Sequence, residues 1–428
     1  MDYNFKRFFF RSEAFNPNFN NLNQKSANQA STDLTGTIRS KHNFGFILVS
    51  FGVLLAAASG SWDITNHLLN KPETFFSPPH AGLYGGVGLT VFALIWILCY
   101  CRCWGIADQK GRSSPNTDSN VRIVVRKLLP IPVKIVALGV ALLVIAGPFD
   151  FAWHSAFGLD GLLSPSHLAL TMGLVLSSVG SLLGILSDQK TKLLSRQKEN
   201  KALGIAIHRY DLPFHNYLNN KSTIMVILVV IPVWITLVGL THMLSLPFSN
   251  TEYFKFNPNP TFGAVLATIA LPFIGAFLLT LSFQLTRRFG IVLFTGGTFI
   301  LINLITSILP NEHIIPTIPF YILNLIPFLV VDIILSDLFV PSNKILIYGL
   351  SGAIIGATFF MLYFPLITYT YNEVMPYPRA VWPSLITLKY FEMIALLYPI
   401  LALPSLLMGI LGGLFGSSWK INQMQIRR

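Results

Sequence analysis

The sequence predicts an all-α protein, a polytopic transmembrane helical bundle of about ten spans that opens with a tandem repeat of helix pairs. Composition, the length of the apolar runs and the placement of basic residues carry that expectation. Of 428 residues, 53% are hydrophobic and 11% charged, so most of the chain cannot face water. The apolar runs approach the roughly 20 residues that cross a hydrocarbon core of about 30 Å. They are continuous, with Gly, Ala and Ser interspersed, where a transmembrane barrel would show short alternating strands.

The expected spans run roughly from Phe44 to Leu68, Ala81 to Trp104, Pro132 to Phe157, Ser166 to Leu186 and Thr223 to Leu246. Five more run from Thr261 to Leu285, Phe289 to Leu309, Ile315 to Leu338, Ile345 to Tyr369 and Thr387 to Phe415. Residues 1–43 are rich in Asn, Ser and Lys and read as a flexible basic tail. No cleavable signal peptide stands before Phe44, so the first span is expected to act as an uncleaved anchor. The chain then divides into a four-span repeat region (44–187), a basic connection (188–222) and a six-span region (223–428).

The net charge of +12 is distributed as a membrane protein would distribute it. Lys6, Arg7, Arg11, Lys25, Arg39 and Lys41 precede the first span, and Arg122, Arg126 and Lys127 precede the third. Lys190, Lys192, Arg196, Lys198 and Lys201 follow the fourth, Arg287 and Arg288 the sixth, and Lys420, Arg427 and Arg428 the last. The intervening connections are poor in Lys and Arg, so the positive-inside rule places both termini in the cytoplasm and makes the cell membrane the expected location. No aromatic-basic module accompanies the charge, and nucleic acid is not an expected partner.

The informative feature is a repeat of polar residues where polar residues are expensive. The stretch SWDITNHLLNKPETFFSPPHAGL aligns without a gap on PFDFAWHSAFGLDGLLSPSHLAL at an offset of 87 residues. Asp63 matches Asp150, His67 matches His154 and His80 matches His167. Ser77, Pro78, Leu83 and Gly86 match Ser164, Pro165, Leu170 and Gly173, and an acid, Glu73 or Asp160, stands at one place in both loops. An Asp and a His four residues apart project from one helical face, and the Ser-Pro turn that starts the next helix returns a second His toward them. Two imidazoles and one carboxylate suit zinc, iron or copper, and three protein ligands leave a coordination position open. Each copy holds two spans, so the copies keep one orientation, as in parallel repeats.

Asp150, three residues, His154, twelve residues and then His167 within Ser-Pro-Ser-His, with Trp153 before the first His, resembles the copper-site motif in the C subunit of the particulate methane and ammonia monooxygenases. The resemblance implies that Asp150, His154 and His167 are copper ligands. A related site in that family uses Asn in place of the Asp, whereas Asp63, His67 and His80 keep the acid. The resemblance covers roughly residues 44–186 of a longer, divergent chain. It implies a copper-dependent membrane oxidoreductase, or a subunit of one, that activates oxygen toward a small apolar or amine substrate alongside further membrane subunits. A metal transporter or delivery protein, with Asp332 on an inward path, and a structural subunit are the other expectations.

Further candidates are sparse. Cys99, Cys101 and Cys103 alternate near the end of the second span, where Cys101 is expected to point away from the other two. His242, Glu312 and His313 lie near span ends and are expected to be interfacial or supporting groups. His208 and His215 fall in the basic connection. No phosphate-binding glycine loop, serine-nucleophile motif or dinucleotide fingerprint is present.

Overall fold

The computed structural model describes residues 17–68, 77–110, 129–157, 163–202, 220–245, 260–309, 312–336, 344–363, 365–366 and 401–418, and among them there is no strand. In chain order the helices are α1 (Pro17–Leu68), α2 (Pro78–Lys110), α3 (Ile131–Phe157), α4 (Pro165–Ala202), α5 (Asn220–Ser245) and α6 (Pro260–Thr286). They are followed by α7 (Ile291–Ile308), α8 (Ile318–Leu323), α9 (Leu325–Leu335), α10 (Lys344–Thr358) and α11 (Leu401–Ser418). Among the described residues, ten helical stretches are long and apolar enough to cross a bilayer, from Ser40–Asn66 to Leu401–Ser418, and each expected span has its counterpart. The protein is therefore a multi-pass membrane helical bundle.

Two boundaries differ from expectation. α1 begins at Pro17 and takes in much of the segment expected as a tail, and α4 runs to Ala202, into the basic connection. A polar helix that grows from an apolar one needs no new nucleus, and proline is well placed in a first turn. The eighth span is also not one helix. A 3₁₀ segment at Glu312–Thr317 leads into α8, which is separated from α9 at Asn324. Residues 1–16, Glu73, Asp160, His208 and His215 lie outside the described residues.

The first four spans form two hairpins, α1 with α2 and α3 with α4, and these pairs pack more extensively than α5 on α6 or α4 on α5. Both hairpins cross through the same small residues. A Cβ placed on Gly86 would fall 2.7 Å from the Gly52 carbonyl oxygen, and one on Gly173 would fall 2.9 Å from the Gly139 carbonyl oxygen. Gly52 and Gly139 are themselves 87 residues apart, as Gly86 and Gly173 are. Backbone thus meets backbone at equivalent places in both copies, a contact that only residues without side chains permit.

α1 packs on α4 to join the two hairpins and α5 packs on both, with side-chain hydrogen bonds at the α1–α4 and α4–α5 contacts. Asn43 Nδ2 donates to Asp188 Oδ2 at 2.7 Å, the Ser50 and Ser181 hydroxyls are 2.8 Å apart, and the Ser178 hydroxyl lies 3.1 Å from that of Thr236. With no water in a bilayer core, such polar groups find partners inside the protein. α10 and α11 make a third close crossing, where a Cβ on Gly356 would fall 2.6 Å from the Ser405 carbonyl oxygen.

Gly173→Leu and Gly86→Leu are expected to destabilise the protein by about 1–3 kcal/mol each, through forced separation of the hairpin helices. Gly85→Leu places its side chain in open space and serves as the comparison. Thermal unfolding in detergent, followed by loss of the monodisperse peak, distinguishes the three. Equal behaviour of Gly85→Leu and Gly86→Leu would refute the close-crossing account.

Candidate metal centre

The second copy of the repeat assembles at the α3–α4 hairpin. Asp150 and His154 are one turn apart on α3, and His167 stands in the first turn of α4, directly after Pro165. His154 Nε2 and His167 Nε2 each lie 3.4 Å from Asp150 Oδ1, and one ligand atom from each of the three residues lies within 4.8 Å of the others. Among the described residues this is the only group of three His, Cys, Asp or Glu side chains so placed. Two ligands bonded to one ion at 2.0–2.1 Å with tetrahedral angles are about 3.3–3.4 Å apart, so both Asp–His edges already have the spacing that coordination requires. The imidazole rings are inclined at 56° with centroids 5.7 Å apart, so the third edge is left to ring rotation. The donor set fits a borderline transition metal.

The carboxylate is held from behind. Ser166, fully buried, donates from Oγ to Asp150 Oδ1 at 2.6 Å. Ser164 Oγ lies 3.0 Å from Ser166 Oγ and accepts from the His167 backbone N–H at 3.1 Å, so Ser164 also caps the start of α4. An aromatic stripe, Phe149, Trp153 and Phe157, follows the neighbouring face of α3, with ring centroids 6.3 and 4.4 Å apart. Such aromatic residues suit the level of the membrane–water boundary.

In the first copy, His80 Nε2 lies 2.8 Å from Asp63 Oδ1. His67 belongs to α1 one turn past Asp63, and its side chain lies outside the described residues. Tyr84, one turn past His80, packs beside that ring at 6.2 Å between centroids. Leu163 and Met243, with Ile64 and Leu244 against them, form a small apolar cluster that brings the end of α5 to both hairpins.

The remaining candidates have other surroundings. Asp332, fully buried, accepts from the Val292 N–H at 3.2 Å and the Leu293 N–H at 2.7 Å. Those are donors of the first turn of α7, whose N-cap is Gly290 with φ 87° and no side chain to offer. Asp332 thus caps a helix from a distance, where a negative charge meets the positive end of the helix dipole. His242 stacks on Tyr363 at 6.1 Å between centroids, in the six-span region. Glu312 is exposed, and the His313 side chain lies outside the described residues. Cys99 is exposed, whereas Cys101 turns to His42 with Sγ 3.3 Å from Nε2, and the Cys103 side chain lies outside the described residues. Sequence reasoning did not single out His42 or Ser166. Nothing in the sequence signals His42, but the repeat holds a signal for Ser166 as the position within the Ser-Pro-x-His turn at which the two copies differ.

Comparison of the chain with family models, curated proteins and solved structures returns no match.

Asp332→Leu would leave two buried N–H groups of α7 without acceptors, at an expected cost of about 1–3 kcal/mol each, while the metal content of the purified protein stays unchanged. Thermal unfolding alongside elemental analysis checks both parts. A variant of wild-type stability would show that the cap contributes nothing to folding.

Proposed function

We propose that this protein is a copper-binding membrane oxidoreductase component, similar to the C subunit of the particulate methane and ammonia monooxygenases. The observation that carries the reading is the convergence of His154 and His167 on Asp150 Oδ1 at 3.4 Å, in a hairpin whose partner copy repeats the same residue types. Asp150, His154 and His167 are the ligands of one site, and Asp63, His67 and His80 those of the other. Copper, when bound, supplies redox chemistry toward oxygen and a small apolar or amine substrate. The chain's own part is to hold two neutral imidazoles and a carboxylate in place while leaving a coordination position open.

The basic connections orient the bundle with both termini in the cytoplasm of a cell membrane, which puts the triads at the opposite surface. The aromatic stripe of α3 supports that depth, since it lies beside Asp150 and His154. Electron delivery falls to partner membrane subunits of the same kind of assembly.

Protein purified in mild detergent is expected to retain copper. His154→Ala plus His167→Ala should remove the metal of one site, and His67→Ala plus His80→Ala that of the other, as read by elemental mass spectrometry. A wild type that binds no metal after loading, or metal that survives in the combined quadruple variant, would overturn the assignment. The orientation is checked separately: a protease site appended at the C-terminus should be cut in inside-out vesicles and protected in right-side-out ones.

A further inference from the structure

The two copies are alike in ligand type but differ at the residue that stands behind Asp150. At the turn that starts the second helix, the first copy reads Ser77-Pro78-Pro79-His80 and the second Ser164-Pro165-Ser166-His167, so within these four residues only Pro79 and Ser166 differ. We propose that this one difference makes the copies unequal metal sites, with Ser166 acting as a positioning residue for Asp150 in the tighter one. The proposal rests on the metal-binding role assigned above.

The hydrogen bonds around Ser166 have a single direction. An ionised carboxylate only accepts, so the one hydroxyl proton of Ser166 goes to Asp150 Oδ1 at 2.6 Å. Ser166 Oγ must then accept at its 3.0 Å contact with Ser164, whose own proton is used there. Ser164 Oγ in turn accepts the His167 backbone N–H at 3.1 Å. The chain therefore runs from the His167 N–H through two buried hydroxyls to the carboxylate, each bond polarising the next. It ties the acid on α3 to the residue on α4 that carries the third ligand. Asp150 is thereby oriented with both histidine nitrogens at 3.4 Å, a spacing that suits an ion between them better than a direct hydrogen bond.

Pro79 has neither a hydroxyl nor an N–H, so the first copy cannot build this chain. There His80 Nε2 sits 2.8 Å from Asp63 Oδ1, and the turn offers no hydroxyl at the Pro79 position to orient that carboxylate. In the second copy a hydroxyl orients the acid before metal arrives, and the first copy has no hydroxyl at the matching position. Groups that orient a metal ligand through hydrogen bonds change metal affinity by about 10–100-fold when removed, which sets the expected difference.

The test uses the full-length protein in detergent with Cu²⁺ as the probe, titrated and followed by electron paramagnetic resonance. Two backgrounds isolate the copies: His67→Ala plus His80→Ala keeps the second, and His154→Ala plus His167→Ala keeps the first. The second copy should bind about 10–100-fold more tightly than the first. Ser166→Ala should erase most of that advantage and alter the copper spectrum, while Ser166→Thr, which keeps the hydroxyl, restores both. Pro79→Ser should tighten the first copy, a gain that a folding defect at Ser166 cannot mimic. Equal affinities of the two copies, or no change with either Ser166→Ala or Pro79→Ser, would overturn the inference while leaving metal binding in place. Absence of copper from both single-copy backgrounds and from wild type would overturn the metal role together with it.

Discussion

The backbone contact between Gly139 and Gly173, repeated by Gly52 and Gly86, is the constraint on which the candidate site depends. Asp150 and His154 lie 11 and 15 residues beyond Gly139 in the sequence, or about 17–23 Å along an ideal helix. Two helices that started farther apart would hold their ends farther apart as well, and the His on the second would not reach the acid on the first. Small residues at the crossing therefore matter to the chemistry although they touch none of it. The driving force is packing, because lipid tails offer apolar surfaces no penalty to escape.

Within that scaffold, the low-dielectric surroundings separate polar residues by what they touch. Asp188 takes the Asn43 amide, and Asp332 takes two N–H groups of α7. Each is committed to holding helices in place. Asp150 differs in that two imidazole nitrogens and a hydroxyl converge on a single one of its oxygens. A carboxylate at the start of a helix is satisfied by peptide N–H groups, whereas Asp150 faces two side chains that, like its own, are of metal-ligating type. The distinction bears on the transport reading, since the acid expected to pass an ion inward has both oxygens engaged by the backbone of α7.

The chain carries two hairpins with matching polar residues that differ at Pro79 and Ser166 within the Ser-Pro-x-His turn. Replacing a hydroxyl by a ring at one position changes no helix and no crossing, because proline is at ease in the first turn that both Pro79 and Ser166 occupy. It changes only what stands behind the carboxylate.

The sequence by itself determined the helical class, the number of spans and the pairing of Asp63 with Asp150, His67 with His154 and His80 with His167. Apolar run length is a one-dimensional quantity, and a bilayer of fixed thickness reads it directly. The i, i+4 spacing on α3 likewise needs no tertiary information. The tertiary structure decided which polar residues meet across helices: His42 with Cys101, Asp332 with the start of α7, and Ser166 with Asp150. It also decided that the eighth span breaks at Asn324 and that α1 extends back to Pro17. These depend on the rotation and depth of one helix against another, which are set by side-chain packing at distant positions and leave no local period in the chain.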